Sequence, residues 1–429
     1  MKYKKAKGCY DIVPQADEPF KQIEYWYWLE EKLISQAKLF GFEEIRLPSF
    51  ETSDLFIRSS GLSSDIVSKE MYTFEDKAGR SLTLRPEWTA PIVRAFIENG
   101  LHTTTSQKFF YLGPCWRYDR QQKGRYRQFQ QFGVEIFGVA DPLVDVELIA
   151  LVDNIIKNLH LSNTKIIINN IGDKSSRDKY SRALIEYLLP YKNDLSKDSQ
   201  LRLTNNPLRI LDSKDQKDME ICNEAPIILN FLTKQSKDHF EILQQNLSDL
   251  KIDYSIDPHL IRGLDYYCDT VFEINKAQDT GRQNSLGGGG RFDVLMKDLS
   301  GPDIAGLGFA LGLERIIQTL IEHENLTLER QVVTSLLVPL DESSKGQCLK
   351  LLMEMRKANI SCQLYYKSPK IAKALSFADK EGINFVLVYG PQEKQNNYIV
   401  LKDMKKKEQS NIPLNRICET IKKATLVKT

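Results

Sequence analysis

The sequence has no C-x-x-C pair, and its seven cysteines, at positions 9, 115, 222, 268, 348, 362 and 418, are odd in number and scattered. That pattern supports neither a disulfide framework nor a zinc cage, so the thiols are expected to be reduced. The five histidines, at 102, 160, 239, 259 and 323, show no H-E-x-x-H or other ligand spacing, and no G-x-S-x-G elbow occurs. Metal-assisted hydrolysis and covalent acyl transfer therefore lose their usual carriers. No run of 18 apolar residues exists to span a membrane,. The basic N-terminus, MKYKKAKGCYDIVPQ, lacks the apolar core of a signal peptide, so a cytoplasmic location is expected,. A net charge of only +2 over 429 residues rules out a strongly basic field around the whole chain. Any anionic partner must be met by local patches.

What is present changes in texture along the chain. Apolar residues Ile23, Trp26, Tyr27, Leu33, Ile34 and Ala37 recur at helical spacing before a stop at Gly41,. FEEIRLPSFE then reads as a strand broken at Pro48. Further strands are expected at SLTLRPE, KFFYLGPCWRYD and FQQFGVEIFGV, separated by turns, which favours an antiparallel sheet,. Residues 141–159 return to helix. The stretch 172–250 is rich in Lys, Asp, Asn and Ser at helical spacing and reads as an inserted helical subdomain. The sheet pattern resumes at IDYSIDPHLIRGLDYYCDTVFEI, crosses a glycine tract and ends in a helix starting near GFALGLER. Beyond Arg330 a βαβα pattern marks a separate small domain,.

One hairpin concentrates cations. In WRYDRQQKGRYRQ, Arg117, Arg120, Lys123, Arg125 and Arg127 surround Asp119, and Gly124 is placed to turn the chain,. Guanidinium groups aimed from paired strands into one cleft suit a polyphosphate, because their planar fork binds phosphate oxygens two at a time. A solvated basic loop is the alternative. Arg262 in IRGLDYY and Arg315 in GLGFALGLER keep company with the hairpin. The tract LGGGGRFD lacks the G-x-x-x-x-G-K-[ST] pattern and is expected to be a tight turn that lets backbone pack under a ligand or strand,.

Three stretches in order, FGFEEIRLPSFE, the hairpin from FFYLGPCWRYDR to FGVEIFG, and GLGFALGLER, resemble motifs 1, 2 and 3 of class II aminoacyl-tRNA synthetases. IRGLDYY, GGGRFD and TLRPEWTAP resemble motifs particular to the histidyl-tRNA synthetase family. The likeness implies an α+β fold: residues 1–325 as a class II catalytic domain with an antiparallel sheet flanked by helices, a helical insertion over 172–250, and residues 332–429 as an α/β anticodon-binding domain. It implies ATP as substrate with Mg2+, L-histidine and tRNA(His) as partners, and a homodimer built on motif 1. No dedicated metal site on the protein is implied.

The resemblance also assigns residues. Arg117 and Arg262 are the expected catalytic arginines, meeting the histidine carboxylate and the α-phosphate. Asp119, Arg125 and Arg315 join Arg117 around ATP. Glu87, Thr89 and Gln131 hold the α-amino group, and Glu135, Tyr266 and Tyr267 surround the imidazole. Arg120 and Gln122 resemble residues that meet the 5′ guanosine of the tRNA. A site that hydrogen-bonds both imidazole nitrogens needs no editing, so the insertion is expected to contact the tRNA acceptor arm instead. Trp88, Phe292, Asp119 and Gln121 depart from the usual pattern. The alternatives are a histidine-sensing regulatory paralogue of ATP phosphoribosyltransferase and a class II synthetase for another amino acid.

Overall fold

The computed structural model describes residues 3–61, 64–103, 107–120, 122–277, 284–328, 333–367 and 370–426. Gln121 lies outside them, as does the expected domain start at 332. The chain divides into two compact units, Met1–Leu328 and Glu329–Thr429.

The first unit opens with α1 (Ile23–Leu39), whose Trp26, Leu29, Leu33 and Ala37 form the buried stripe that the spacing predicts. Gly41 ends it with φ of 80°, a conformation costly for residues with a Cβ,. Pro48 separates β1 (Glu43–Glu44) from β2 (Phe50–Thr52). After α2 (Ser53–Ser60), β3 (Tyr72–Glu75) and β4 (Ser81–Leu84) complete a small sheet of order β2-β4-β3, in which β4 pairs with both neighbours. Then come α3 (Thr89–Glu98), β5 (Gln107–Trp116), β6 (Gln128–Phe137), α4 (Leu143–Asn158) and β7 (Thr164–Asn170). The polar segment supplies α5 (Lys174–Leu188), α6 (Lys197–Asn205), α7 (Gln216–Cys222) and α8 (Lys234–Asp249). It is followed by β8 (Tyr254–Ile256), β9 (Cys268–Lys276), β10 (Ser285–Arg291), α9 (Leu295–Asp298), β11 (Gly306–Gly312) and α10 (Leu313–His323).

These strands form an eight-stranded sheet of order β1-β5-β6-β11-β10-β9-β7-β8. The inner pairings are antiparallel as the turns predict, while the edge pairs β1–β5 and β7–β8 are parallel, so the sheet is mixed. The glycine tract is not a turn. It is strand β10, paired on both sides. GLGFALG is likewise a strand, and its helix begins only at Leu313.

Alternation assigns the faces. Phe132, Val134 and Ile136 of β6 and Leu307, Phe309 and Leu311 of β11 point into a core with α1, α4 and α10. Helix α8 joins that core through Phe240, Leu243 and Leu247, so the last helix of the 172–250 stretch is integral to the main body. Each such side chain contributes about 1.5–3 kcal/mol when fully buried. Under the sheet, Arg291 at the end of β10 is 1% exposed and meets Asp145 of α4, which is 0% exposed, at 2.6 Å. His239 of α8 lies 3.3 Å from the same carboxylate.

The second unit contains β12 (Ser335–Pro339), α11 (Lys345–Lys357), β13 (Cys362–Leu364), α12 (Ile371–Glu381), β14 (Phe385–Tyr389), α13 (Pro391–Gln395), β15 (Tyr398–Asp403), β16 (Glu408–Pro413) and α14 (Ile417–Leu426). Its sheet runs β13-β12-β14-β15-β16, parallel over the first three strands and antiparallel after them. Leu351, Leu352, Ile417 and Ile421 cover one face, and Ala374 and Ala378 the other.

Candidate functional site

The face of the main sheet opposite α1 has a floor almost without side chains. Gly308, Ala310 and Gly312 of β11 pair with Glu135, Gly133 and Gln131 of β6, and Gly288 of β10 pairs with Ala310. Above this floor lies a cleft of about 310 Å³. Its occupants depend on the missing side chains. A Cβ at Gly308 would stand 1.8 Å from Glu135 Oε2, and one at Gly288 would stand 2.8 Å from Arg262 Nη1. The large-small alternation of GLGFALG is thus a core side and a site side of one strand.

One end of the cleft is built from carboxylates and hydroxyls. Glu87 accepts from the backbone N–H groups of Thr89 at 2.6 Å and Ala90 at 3.0 Å, which caps the start of α3 and fixes the carboxylate,. Thr89 Oγ1 donates to Glu135 Oε1 at 2.7 Å. Glu135 is 1% exposed, and its Oε2 has no hydrogen-bond partner among the described residues. Burial raises the carboxyl of Glu135 well above its ordinary pKa and also raises that of Glu87. Tyr266 and Tyr267 lie beside them with ring centroids 4.7 Å apart and planes tilted by 45°, and burial raises both phenols. Gln131 Oε1 accepts from the Cys115 thiol at 3.2 Å.

The other end is built from arginines. Arg117 Nε donates to Pro86 O at 2.9 Å, and its guanidinium lies 5.3 Å from the Phe129 ring. Arg125 pairs with Asp119 at 3.1 Å. Arg315 donates to Gly124 O at 3.1 Å and to Ser285 O at 2.5 Å, both neutral carbonyls. Burial, then the like charges of Arg125 and Arg117, lower its pKa. Arg262 reaches over the floor from the segment before β9 and meets Glu273 of that strand at 2.9 Å. Glu314, beside Arg315, accepts from Tyr10 OH at 2.5 Å and Gln130 N at 2.8 Å. Burial pushes its carboxyl up to about 7.

The structure therefore brings Glu87, Thr89, Gln131, Glu135, Tyr266 and Tyr267 together with Arg117, Asp119, Arg125, Arg262 and Arg315 around one floor. Arg120 and Gln122 stand exposed on the hairpin tip, away from the cleft lining. Gly124 makes the turn there with φ of 71°.

Trp88 and Phe292 find structural explanations. Trp88 is sandwiched between the Arg85 guanidinium, 3.5 Å away, and the Tyr111 ring, 4.7 Å away at 17°. Phe292 packs edge-on against Tyr266 at 5.8 Å and lies over Gly306. Sequence reasoning missed Tyr111, Glu70 and Glu273. Glu273 carried a signal, a charged residue inside the apolar strand VFEI at the alternation that faces the site. Among the described residues the one group spaced to hold a metal ion is Cys268, Asp269 and Asp293.

Comparison with known proteins gives consistent matches. Residues 17–316 match the family model of histidyl-tRNA synthetase, and residues 334–424 match that of an anticodon binding domain. A histidine–tRNA ligase of Protochlamydia amoebophila is 45% identical over 425 residues, covering 98% of this chain and 100% of that one. One from Bacillus subtilis is 41% identical over 426 residues, covering 98% and 99%. The crystal structure of apo S. aureus histidyl-tRNA synthetase superposes with a TM-score of 0.82 at 36% identity, covering 98% of this chain and 100% of that one.

Proposed function

The chain belongs to the histidyl-tRNA synthetase family, and we infer on that premise that it activates L-histidine with ATP and passes the histidyl group to the 3′ end of tRNA(His). It is an ATP-dependent ligase of class II fold. The observation that carries the site assignment is the polarity of the cleft. A buried carboxylate with a free oxygen stands at one end, and arginines bonded to neutral carbonyls stand at the other.

In the reaction a histidine carboxylate oxygen bonds to the α-phosphorus of ATP. The bond to the bridging oxygen breaks, and pyrophosphate leaves with the electron pair. Both partners are anionic, so the chain must neutralise them and hold them in line. Arg117 and Arg262 would do so at the carboxylate and α-phosphate, and Arg125 and Arg315 at the departing phosphates, with Asp119 orienting Arg125; their common lining of the cleft supports this reading. Glu135 Oε2 takes the imidazole N–H, and Tyr267, with Tyr266 behind it, serves the other ring nitrogen. Glu87, Thr89 and Gln131 hold the ammonium group with lone pairs left over from the bonds that fix them,.

Mg2+ would arrive on the triphosphate. Asp119 and Glu273 are already engaged by Arg125 and Arg262, so they fit poorly as a separate metal cage. The exposed Arg120 and Gln122 are proposed to meet tRNA, and exposed Tyr27 and Leu39 on α1 support a homodimer interface,. A cytoplasmic location fits this activity; no helix among the described residues is long and apolar enough to cross a membrane. The regulatory-paralogue alternative is disfavoured by the anticodon-domain match and by the retained Arg117, Arg262 and Arg315. ATP–pyrophosphate exchange measured with each of the twenty amino acids should respond to histidine alone, and exchange driven by another amino acid would overturn the assignment.

A further inference from the structure

The polar segment between β7 and β8 grips two separate walls of the cleft. On one side Arg177 of α5 donates to the backbone carbonyl of Tyr267, and Asn206, which follows α6, donates to Asp265 Oδ1 at 2.8 Å. Both acceptors lie in the stretch that carries Arg262, Tyr266 and Tyr267. On the other side Asp65 receives Arg202 at 3.1 Å and Arg209 at 3.2 Å, and Asp198 receives Lys69 at 3.2 Å. Asp65 immediately precedes the helical turn Ile66–Glu70, and Lys69 lies within it. Glu70 at its end lines the cleft, and its backbone carbonyl accepts from Tyr118 N at 2.7 Å, inside the arginine hairpin.

These are directional, charge-assisted bonds rather than a greasy seam. Arg209 is 6% exposed and spends its Nη2 on Asp65, whose own side chain is partly exposed, so the bond fixes the direction of a buried guanidinium against a wall that solvent still reaches,. The two walls also meet each other: a Cβ at Gly61 would stand 2.5 Å from Asp265 Oδ2. Lys214 of the same segment lines the cleft itself.

We propose that this segment is a clamp for the amino acid end of the cleft. Its positioning residues are Arg177, which sets Tyr267 through the backbone, and the Arg202–Asp65–Arg209 cluster, which sets the opposite wall. Through Arg177 the clamp acts on histidine more than on ATP, because Tyr267 belongs to the imidazole end while Arg315 is anchored to Gly124 and Ser285, outside the segment; the Asp65 arm also touches the arginine hairpin through Glu70. The proposal rests on the reading of this cleft as a histidine site.

The test uses the full chain, with histidine-dependent pyrophosphate exchange and melting temperature measured together. Arg177→Met should raise the histidine KM about 10-fold with the ATP KM within about 2-fold, and Arg177→Lys, which keeps a donor, should recover most of the loss. Asp65→Asn, at a partly exposed side chain, should raise the histidine KM by roughly 3-fold without loss of folding. An unchanged histidine KM in folded Arg177→Met and Asp65→Asn proteins would overturn the clamp. So would a parallel rise in both KM values with a lowered melting temperature that Lys does not restore. Absence of histidine-dependent exchange in the wild type would instead overturn the site reading beneath it.

Discussion

At the carboxylate end of the cleft, Glu135 and Glu87 are 1% and 4% exposed, and burial raises both carboxyls against the hydrogen bonds that hold them. At the arginine end, Arg117, Arg125 and Arg315 keep partial access to solvent, and like charge adds to burial in lowering Arg315. One end is strained by having too little water around polar groups, the other by having too many cations together. A ligand relieves the first only by presenting a matching donor or acceptor at a fixed point, which is selectivity for shape and hydrogen bonding. It relieves the second by bringing negative charge, which grows as pyrophosphate departs. The two ends should therefore fail differently.

The largest expected effect lies where the ends meet. Arg262→Ala should slow pyrophosphate exchange by about 10² or more, a loss of roughly 3 kcal/mol, while histidine still binds within a modest factor. Because Arg262 pairs with Glu273 rather than serving only its own turn, normal exchange in a folded mutant would remove it from the chemistry. Next, Glu135→Ala should cost about 2–3 kcal/mol in histidine kcat/KM with the ATP KM little changed. An unaltered histidine kcat/KM would mean that the free oxygen over Gly308 reads nothing.

Glu314 blurs the division, being a carboxyl with a pKa of about 7 beside Arg315. Its folded pKa stands above the ordinary 4.5, so the folded state holds an extra proton across that window. The associated stability is full below about pH 4.5 and is lost as pH rises through about 7,. Glu314→Gln cannot ionise, and its melting temperature should fall a few degrees less between pH 5 and 8 than that of the wild type, measured by calorimetry. Equal slopes would show that Tyr10 and Gln130 hold the ionised form after all. The smallest effect is a control on the hairpin: Lys123 pairs with Glu322 at 2.7 Å in solvent, so Lys123→Ala should change stability by at most about 0.5 kcal/mol and leave exchange unaffected. A large loss would extend the arginine end beyond the cleft.

Legibility in the sequence followed the side chains. FQQFGVEIF alternates because one face meets the core and the other the site, and the period-2 signal survives in the letters. Arg117 could be singled out because its hairpin concentrates cations, and Arg262 and Arg315 because they stand near glycines, although one lies in the loop before β9 and the other at the start of α10. The tract LGGGG was misread as a turn because glycine carries no periodic signal, although its backbone pairs on both edges. β16, with sequence EQSNIP, is an exposed edge strand and shows no apolar alternation. Parallel pairing at β1 and β8 depends on distant partners, which no local pattern encodes. The stack of Arg85, Trp88 and Tyr111 joins residues from a loop and from β5, so Trp88 looked anomalous until its neighbours were in place.

The buried pair of Arg291 and Asp145 joins positions 146 residues apart in the chain. Until β10 arrives, Asp145 must stay hydrated, since an uncompensated charge is expensive to bury. Strand β11 is the antiparallel neighbour of β6, so the first strands to emerge during synthesis have an open edge until residues 306–312 follow. Assembly of the catalytic body is therefore a late, long-range event, slow in the way that distant pairings make folding slow. A nascent chain halted before Gly306 would leave the edge of β6 unpaired and its core short of β11 and α10, an aggregation-prone intermediate rather than a half-built enzyme,.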